Sequence, residues 1–160
     1  MNKPDSLRRL LLRAIPQLRD NPEALLLFVD QGRVGARAGA GLSFECRYAL
    51  NIVLTAFSGD QNAIFVPLLA WILEQQPDLM NRPDSEPFTF ESEILDGDTS
   101  DISITLQLSE LVRVTATDAG YQVEDVPESG NPDRFPGVCA HLLKLYANDD
   151  LVAQSEHAEP

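Results

Sequence analysis

Between Ser43 and Asp60 the chain reads SFECRYALNIVLTAFSGD, and its side chains sort by parity. Phe44, Cys46, Tyr48, Leu50, Ile52, Leu54 and Ala56 are apolar, while Ser43, Glu45, Arg47, Ala49, Asn51, Val53 and Thr55 are mostly polar. Successive residues of a strand project to opposite faces, so this predicts a long strand with one buried face. Ser58-Gly59-Asp60 ends it in a turn able to cap a helix. A second long strand is predicted over ISITLQLSELVRVTAT, with Ile102, Ile104, Leu106 and Leu108 on one face. FTFESEIL (88–95) alternates as a shorter strand, and DGDTSD (96–101) turns the chain between the two.

Elsewhere the spacing changes to that of a helix. Leu7, Leu11, Ala14 and Leu18 repeat at steps of three and four, with Arg8, Arg9 and Arg13 on other sides. Asp5 or Ser6 is the expected cap, and Pro16 is expected to end or bend this helix. A second helix is predicted over about Gln61–Gln76. Ile64, Leu68, Trp71 and Ile72 form its main face, which Phe65, Leu69 and Leu73 broaden until it looks buried on two sides. Pro67 inside it removes one backbone hydrogen bond and predicts a kink. EALLLFVD reads as a mostly buried strand, and QGRVGARAGAG as a glycine-rich hairpin arm with its tip near Gln31-Gly32. PDLMNRPDSEP reads as a loop, DAG (118–120) as a tight turn into YQVEDV, and 127–137 as a proline-rich linker. LLKLYA and LVAQ form a last hairpin around NDD.

Together these elements predict an α+β fold, with two helices packed on a largely antiparallel, long-stranded sheet. One domain is expected over 1–154, with 155–160 a frayed polar tail. Strands this long in a small domain run beyond the core, and their edges invite pairing with another chain.

Charge adds an asymmetry. The net charge of −13 falls entirely in residues 81–160; residues 1–80 balance eight basic against eight acidic side chains. Nucleic-acid binding draws on cations that displace counterions from phosphates, and this balance opposes it. The longest apolar run, AIFVPLLAWIL, has eleven residues, against about twenty needed to span a bilayer. Arg13 interrupts the apolar start, which therefore does not read as a signal peptide. Cys46 and Cys139 lie far apart and suit buried thiols in a reducing compartment, so a cytoplasmic place of synthesis and residence is expected.

The search for chemistry is negative. Of the histidines, His157 lies in the tail and His141 at an expected strand start, where a structural role is the ordinary one. Cys46 falls on the apolar parity, as a small hydrophobe would, rather than as a nucleophile for His141. The glycines at 32, 35, 39 and 41 lack a GK[ST] sequence and lead into a strand, unlike a phosphate loop. DGDTSD lacks the glycine and glutamate positions of a calcium loop. No catalytic residue, metal site or cofactor site is expected.

Five segments taken in order carry a resemblance: KPDSLRRLL, SFECRYALNIVLTAFSGD, VPLLAWILEQQPDLM, FTFESEILDGDTSDISITLQLSE and LYANDDLV. Together they resemble the P2-type phage tail completion protein R family from about Met1 to Val152; the combination of SFE.RY.LN with VP.LAW...QPD is its most specific part. The glycine-rich arm and the 127–137 linker are where the family is poorest in information, and surfaces there do not transfer. The resemblance implies a non-enzymatic virion protein at the head-proximal end of a contractile tail. A phage, a prophage remnant and a headless tail-like bacteriocin would share such a sequence.

Tail terminators in general form six-fold rings, so the resemblance implies as partners further copies of the chain in a ring, with a hexamer expected, the tail tube protein, and neck or head completion proteins. DNA would pass through without specific binding, and no membrane is involved. Assembly would take place in the host cytoplasm. Gly32, Arg33, Gly35 and Arg37 in the flexible basic arm are the expected contacts with a neighbouring subunit or the tube. Glu91, Glu93, Asp96, Asp98 and Asp101 are the expected acids facing the DNA passage, with a solubilising outer surface as the alternative. Two other classes stay open: an enzyme or small-molecule binder with an unrecognised site, and a monomeric adaptor or regulatory protein.

Overall fold

The computed structural model describes residues 1–36, 41–81, 83–96, 98–127, 144–147 and 150–154. In chain order the elements are α1 (Lys3–Ala14), α2 (Pro16–Asp20), a 3-10 turn (Pro22–Ala24), β1 (Leu25–Ala36), β2 (Phe44–Phe57), α3 (Asn62–Gln75), a second 3-10 turn (Pro77–Met80), β3 (Thr89–Asp96), β4 (Thr99–Thr117), β5 (Gly120–Val126), β6 (Lys144–Ala147) and β7 (Asp150–Gln154). The fold is α+β, as the periodicities predict. Its main sheet is antiparallel in the order β1-β2-β4-β3. β2 occupies one side of β4 from Ser100 to Val112, so β3 and β5 share the other, β3 along Thr99–Thr105 and β5 along Leu111–Thr117. β6 and β7 form a separate two-stranded sheet, with β7 beside α1.

α1 and α3 cover one face of the sheet. Leu7, Leu11 and Ala14 of α1, Leu18 of α2, and Ile64, Leu68, Trp71 and Ile72 of α3 are buried against Leu50, Ile52, Leu54, Ile102, Ile104 and Leu106. These β2 and β4 residues are the ones that parity selects, since side chains on one face recur every second residue. Pro16 does separate two helices, and α3 continues through Pro67. Phe65 closes one flank by packing on Phe88 and Phe90, with ring centres 5.5 and 4.8 Å away.

Four expectations are corrected. The α1 cap is neither Asp5 nor Ser6. The helix starts at Lys3, its N-cap Asn2 makes no side-chain capping bond, and the Asn2 amide instead donates to the Glu110 carboxylate of β4 at 2.8 Å. β1 is mostly exposed rather than buried, because it is the sheet's edge and the helices cover only its Leu25 end. Gln31-Gly32 is not a hairpin tip: β1 continues to Ala36, which pairs with Phe44, so the reversal lies within 37–43. What occurs at Gln31 is a bulge. One extra residue sits between Asp30 and Arg33, with Gln31 at φ +52° and its amide bonded to the Asp30 carboxylate at 2.8 Å.

The fourth correction concerns Ala56, which parity assigns to the core and which is exposed. A second bulge between Leu54 and Phe57 places Ala56 at φ +50° and turns Phe57 inward instead. A left-handed alanine costs about 1 kcal/mol, and burying a phenyl ring returns roughly 1.5–3 kcal/mol, so the larger side chain wins. The bulge is also tied down: the Ala56 amide donates to Asp101 at 2.8 Å, and Gln17 Nε2 donates to the Ala56 carbonyl at 2.8 Å. The tight turn before β5 agrees with expectation, with Gly120 at φ +135° where a side chain would be strained. Most of the 127–137 linker, Cys139, His141, His157 and the 155–160 tail lie outside the described residues.

These environments separate two phenylalanines. Phe57→Ala is expected to lower stability by about 3–5 kcal/mol, whereas Phe28→Ala on the exposed part of β1 costs about 1 kcal/mol or less. Urea unfolding of the two variants measures the contrast.

Candidate functional site

The face of the sheet turned away from α1 and α3 is the surface with functional potential. Alternation places Leu26, Phe28, Asp30 and Arg33 of β1 on it, with Glu45, Arg47, Ala49 and Asn51 of β2 beside them. β4 contributes Asp101, Ser103, Thr105, Gln107, Ser109, Leu111 and Arg113, β3 contributes Glu91 and Glu93, and β5 contributes Glu124. Its centre is polar but ordered: Thr105 Oγ1 donates to Asn51 Oδ1 at 3.0 Å across the β2–β4 pair. Leu26 and Phe28 are each 52 % exposed.

The structure divides the expected arm. Arg33 lies directly opposite Arg47, and Gly35 opposite Glu45, so the arm's first half is regular strand rather than a flexible loop. Arg37 lies outside the described residues. Arg47 donates to Glu45 at 2.7 Å, and that bond with its charge holds the guanidinium more firmly protonated than usual. Both partners are accessible, and such pairs contribute little to stability. A trough of ≈ 760 Å³ runs here, lined by Gln31, Arg33, Val34, Gly35, Ala36, Glu45, Arg47, Tyr48 and Gln107.

The expected acids divide as well. Glu91 and Glu93 are exposed on the open face of β3, with Glu93 directly opposite Asp101. Asp98 is exposed in the following turn. Asp101 is half-buried and accepts the Ala56 amide, so its carboxylate serves the β2 bulge. The side chain of Asp96 lies outside the description.

Parity reasoning passed over a buried polar anchor on the helix-covered face. Tyr48 donates its hydroxyl to Glu110 Oε1, and the Asn2 amide donates to Oε2. Beside them Lys3 Nζ donates to Gln76 Oε1 and to the Ser109 carbonyl, both at 2.7 Å. Gln76 Oε1 also accepts the Ser109 amide at 3.1 Å. These bonds tie the start of α1 and the end of α3 to the middle of β4. A signal was available in the sequence: Glu110 occupies the same parity as Ile102 through Leu108, where a carboxylate requires partners.

Among the described residues, no group of three or more His, Cys, Asp or Glu side chains is placed to hold a metal ion, and no helix is long and apolar enough to cross a membrane. Cys46 is a half-buried free thiol. Among the described residues the geometry offers a broad, charged, strand-built surface.

Comparison with known proteins bears on that surface. The family profile described as P2 phage tail completion protein R matches residues 1–129. The chain is 40% identical over 156 residues to "Tail completion protein R" of Escherichia phage P2, covering 96% of this chain and 98% of that protein. No solved structure gives a significant match.

The buried anchor carries a pH signature. Burial, and then the bond to Glu110, push the Tyr48 hydroxyl well above the ordinary phenol range. In the unfolded chain it ionises at about pH 10, so the folded state keeps a proton that the unfolded state releases. Its stabilising contribution is full below about pH 10 and is lost as pH rises from there toward the folded value. Tyr48→Phe is expected to cost roughly 1.5–3 kcal/mol at pH 8 and to flatten the alkaline decline, as read from urea midpoints between pH 8 and 11.

Proposed function

Since the chain belongs to the P2 phage tail completion protein R family, we propose that it is a structural protein without enzymatic activity that completes the head-proximal end of a contractile tail. In this reading copies of the chain form a ring, six-fold as its working order, that caps the tail tube and presents a surface to neck or head completion proteins. The single observation that carries the reading is the 40% identity sustained over 96% of the chain. A likeness that continuous extends over the whole sheet and both long helices rather than one motif.

The open face suits the wall of a passage for DNA. Asp30, Glu45, Glu91, Glu93, Asp101 and Glu124 outnumber Arg33, Arg47 and Arg113 on it. A basic wall would bind phosphates and retard transit, whereas an acidic one repels them, and a narrow channel focuses that repulsion. The helix-covered face then lies outward. The basic stretch with Gly32, Arg33, Gly35 and Arg37 contacts a neighbouring copy or the tube. Assembly takes place in the host cytoplasm, and the finished protein resides in the virion tail.

Electron microscopy of particles made without this chain is the test. Tails that fail to join heads or that vary in length are expected. Tails of regulated length joined to heads overturn the proposal.

A further inference from the structure

Resting on the ring proposed above, we infer that neighbouring copies of this chain join edge to edge, the free side of β1 in one copy pairing antiparallel with the β3–β5 side of the next. Among the described residues, no strand pairs with the outer side of β1, nor with the outer sides of β3 and β5. β1 is twelve residues long and exposed over nearly all of its length beyond Leu25. Such an edge offers unpaired backbone donors and acceptors, and proteins usually blunt it with proline or lysine, with other charged side chains, with a bulge or with a covering element. β1 contains neither proline nor lysine; its charged Asp30 and Arg33 flank a bulge at Gln31 that leaves strand on both sides, and its apolar Leu26 and Phe28 stay accessible. Strand addition by a second chain satisfies that backbone.

Direction and charge select the occupant. Strands alternate along β1-β2-β4-β3, so the two outer edges run oppositely. A copy related by rotation about a ring axis therefore sets its β1 antiparallel to β3, which continues the sheet and makes a heterologous, ring-closing contact. On the open face the β3 side carries Glu91 and Glu93 and the β1 side carries Arg33, while Arg47 is paired with Glu45 and Glu124 with Arg113 inside the chain. Asp30 of β1 accepts its neighbour's amide at 2.8 Å. A two-fold pairing of β1 with β1 would set Arg33 against the other copy's β1 and leave Glu91 and Glu93 facing no arginine of the neighbour.

Sedimentation of the full chain over rising concentration tests this. The unmodified chain is expected to self-associate. Arg33→Glu alone, or Glu91→Arg with Glu93→Arg, should each raise the concentration required by roughly tenfold. An equimolar mixture of the two variants should regain association, because each reversed edge then meets its complement. An unmodified chain that stays monomeric, a β3 variant that associates normally, or a mixture that fails to recover overturns the pairing. The proposed role fails separately: edge-dependent association together with normal head-joined tails in the chain's absence overturns the role and leaves the pairing standing. Defective tails together with edge-independent association do the reverse.

Discussion

The pairing of β2 with β4 is the constraint from which the rest of the molecule follows. From Phe44↔Val112 to Leu54↔Ile102 it holds one register without interruption. A slip of one residue would turn every side chain to the wrong face. That register sets Leu50, Ile52 and Leu54 beside Ile102, Ile104 and Leu106, and the apolar surface so made is what α1 and α3 bury. β1 and β3 then add to the two sides of this pair and become the sheet's edges.

One-sided coverage gives the molecule its two characters. The covered face carries the apolar core and a polar anchor at its end, where Glu110, Tyr48, Lys3 and Gln76 fasten both long helices to β4. Buried charges of this kind are costly unless fully partnered, and each group here has a partner within hydrogen-bonding distance. The open face has no such burden and is free to carry carboxylates. Division of labour between the faces is therefore a consequence of the layer arrangement, and it suits a member of a tail completion family.

Much of the fold was legible in the chain because a strand with one covered face writes a two-residue period into its sequence. The period over 44–54 and 102–108, the helical spacing of Leu7, Leu11 and Ala14, and the breaks at Pro16 and Gly120 all reappear as elements. The candidate site was less legible. Arg33, Glu91 and Glu93 could be named from charge and local flexibility, but nothing local says that all three share one face on opposite sides of a sheet. Asp101 illustrates the difficulty: as one of several aspartates near a turn it looks free, yet it accepts an amide from a residue 45 positions away.

The amino-acid sequence by itself determined the element types, the parity of the two central strands, the acidic second half and, through five ordered segments, the family. Each of these depends on neighbours along the chain or on composition. Only the tertiary structure decided that β1 is an exposed edge, that Gln31 and Ala56 are bulges, and that Glu110 receives the start of α1. Those outcomes turn on which distant strand lies alongside and how far the helices reach over it. A bulge shifts parity at one point because a distant partner strand needs Phe57 inward, and a carboxylate is tolerated in a buried row because Tyr48 and Asn2 arrive from elsewhere to meet it.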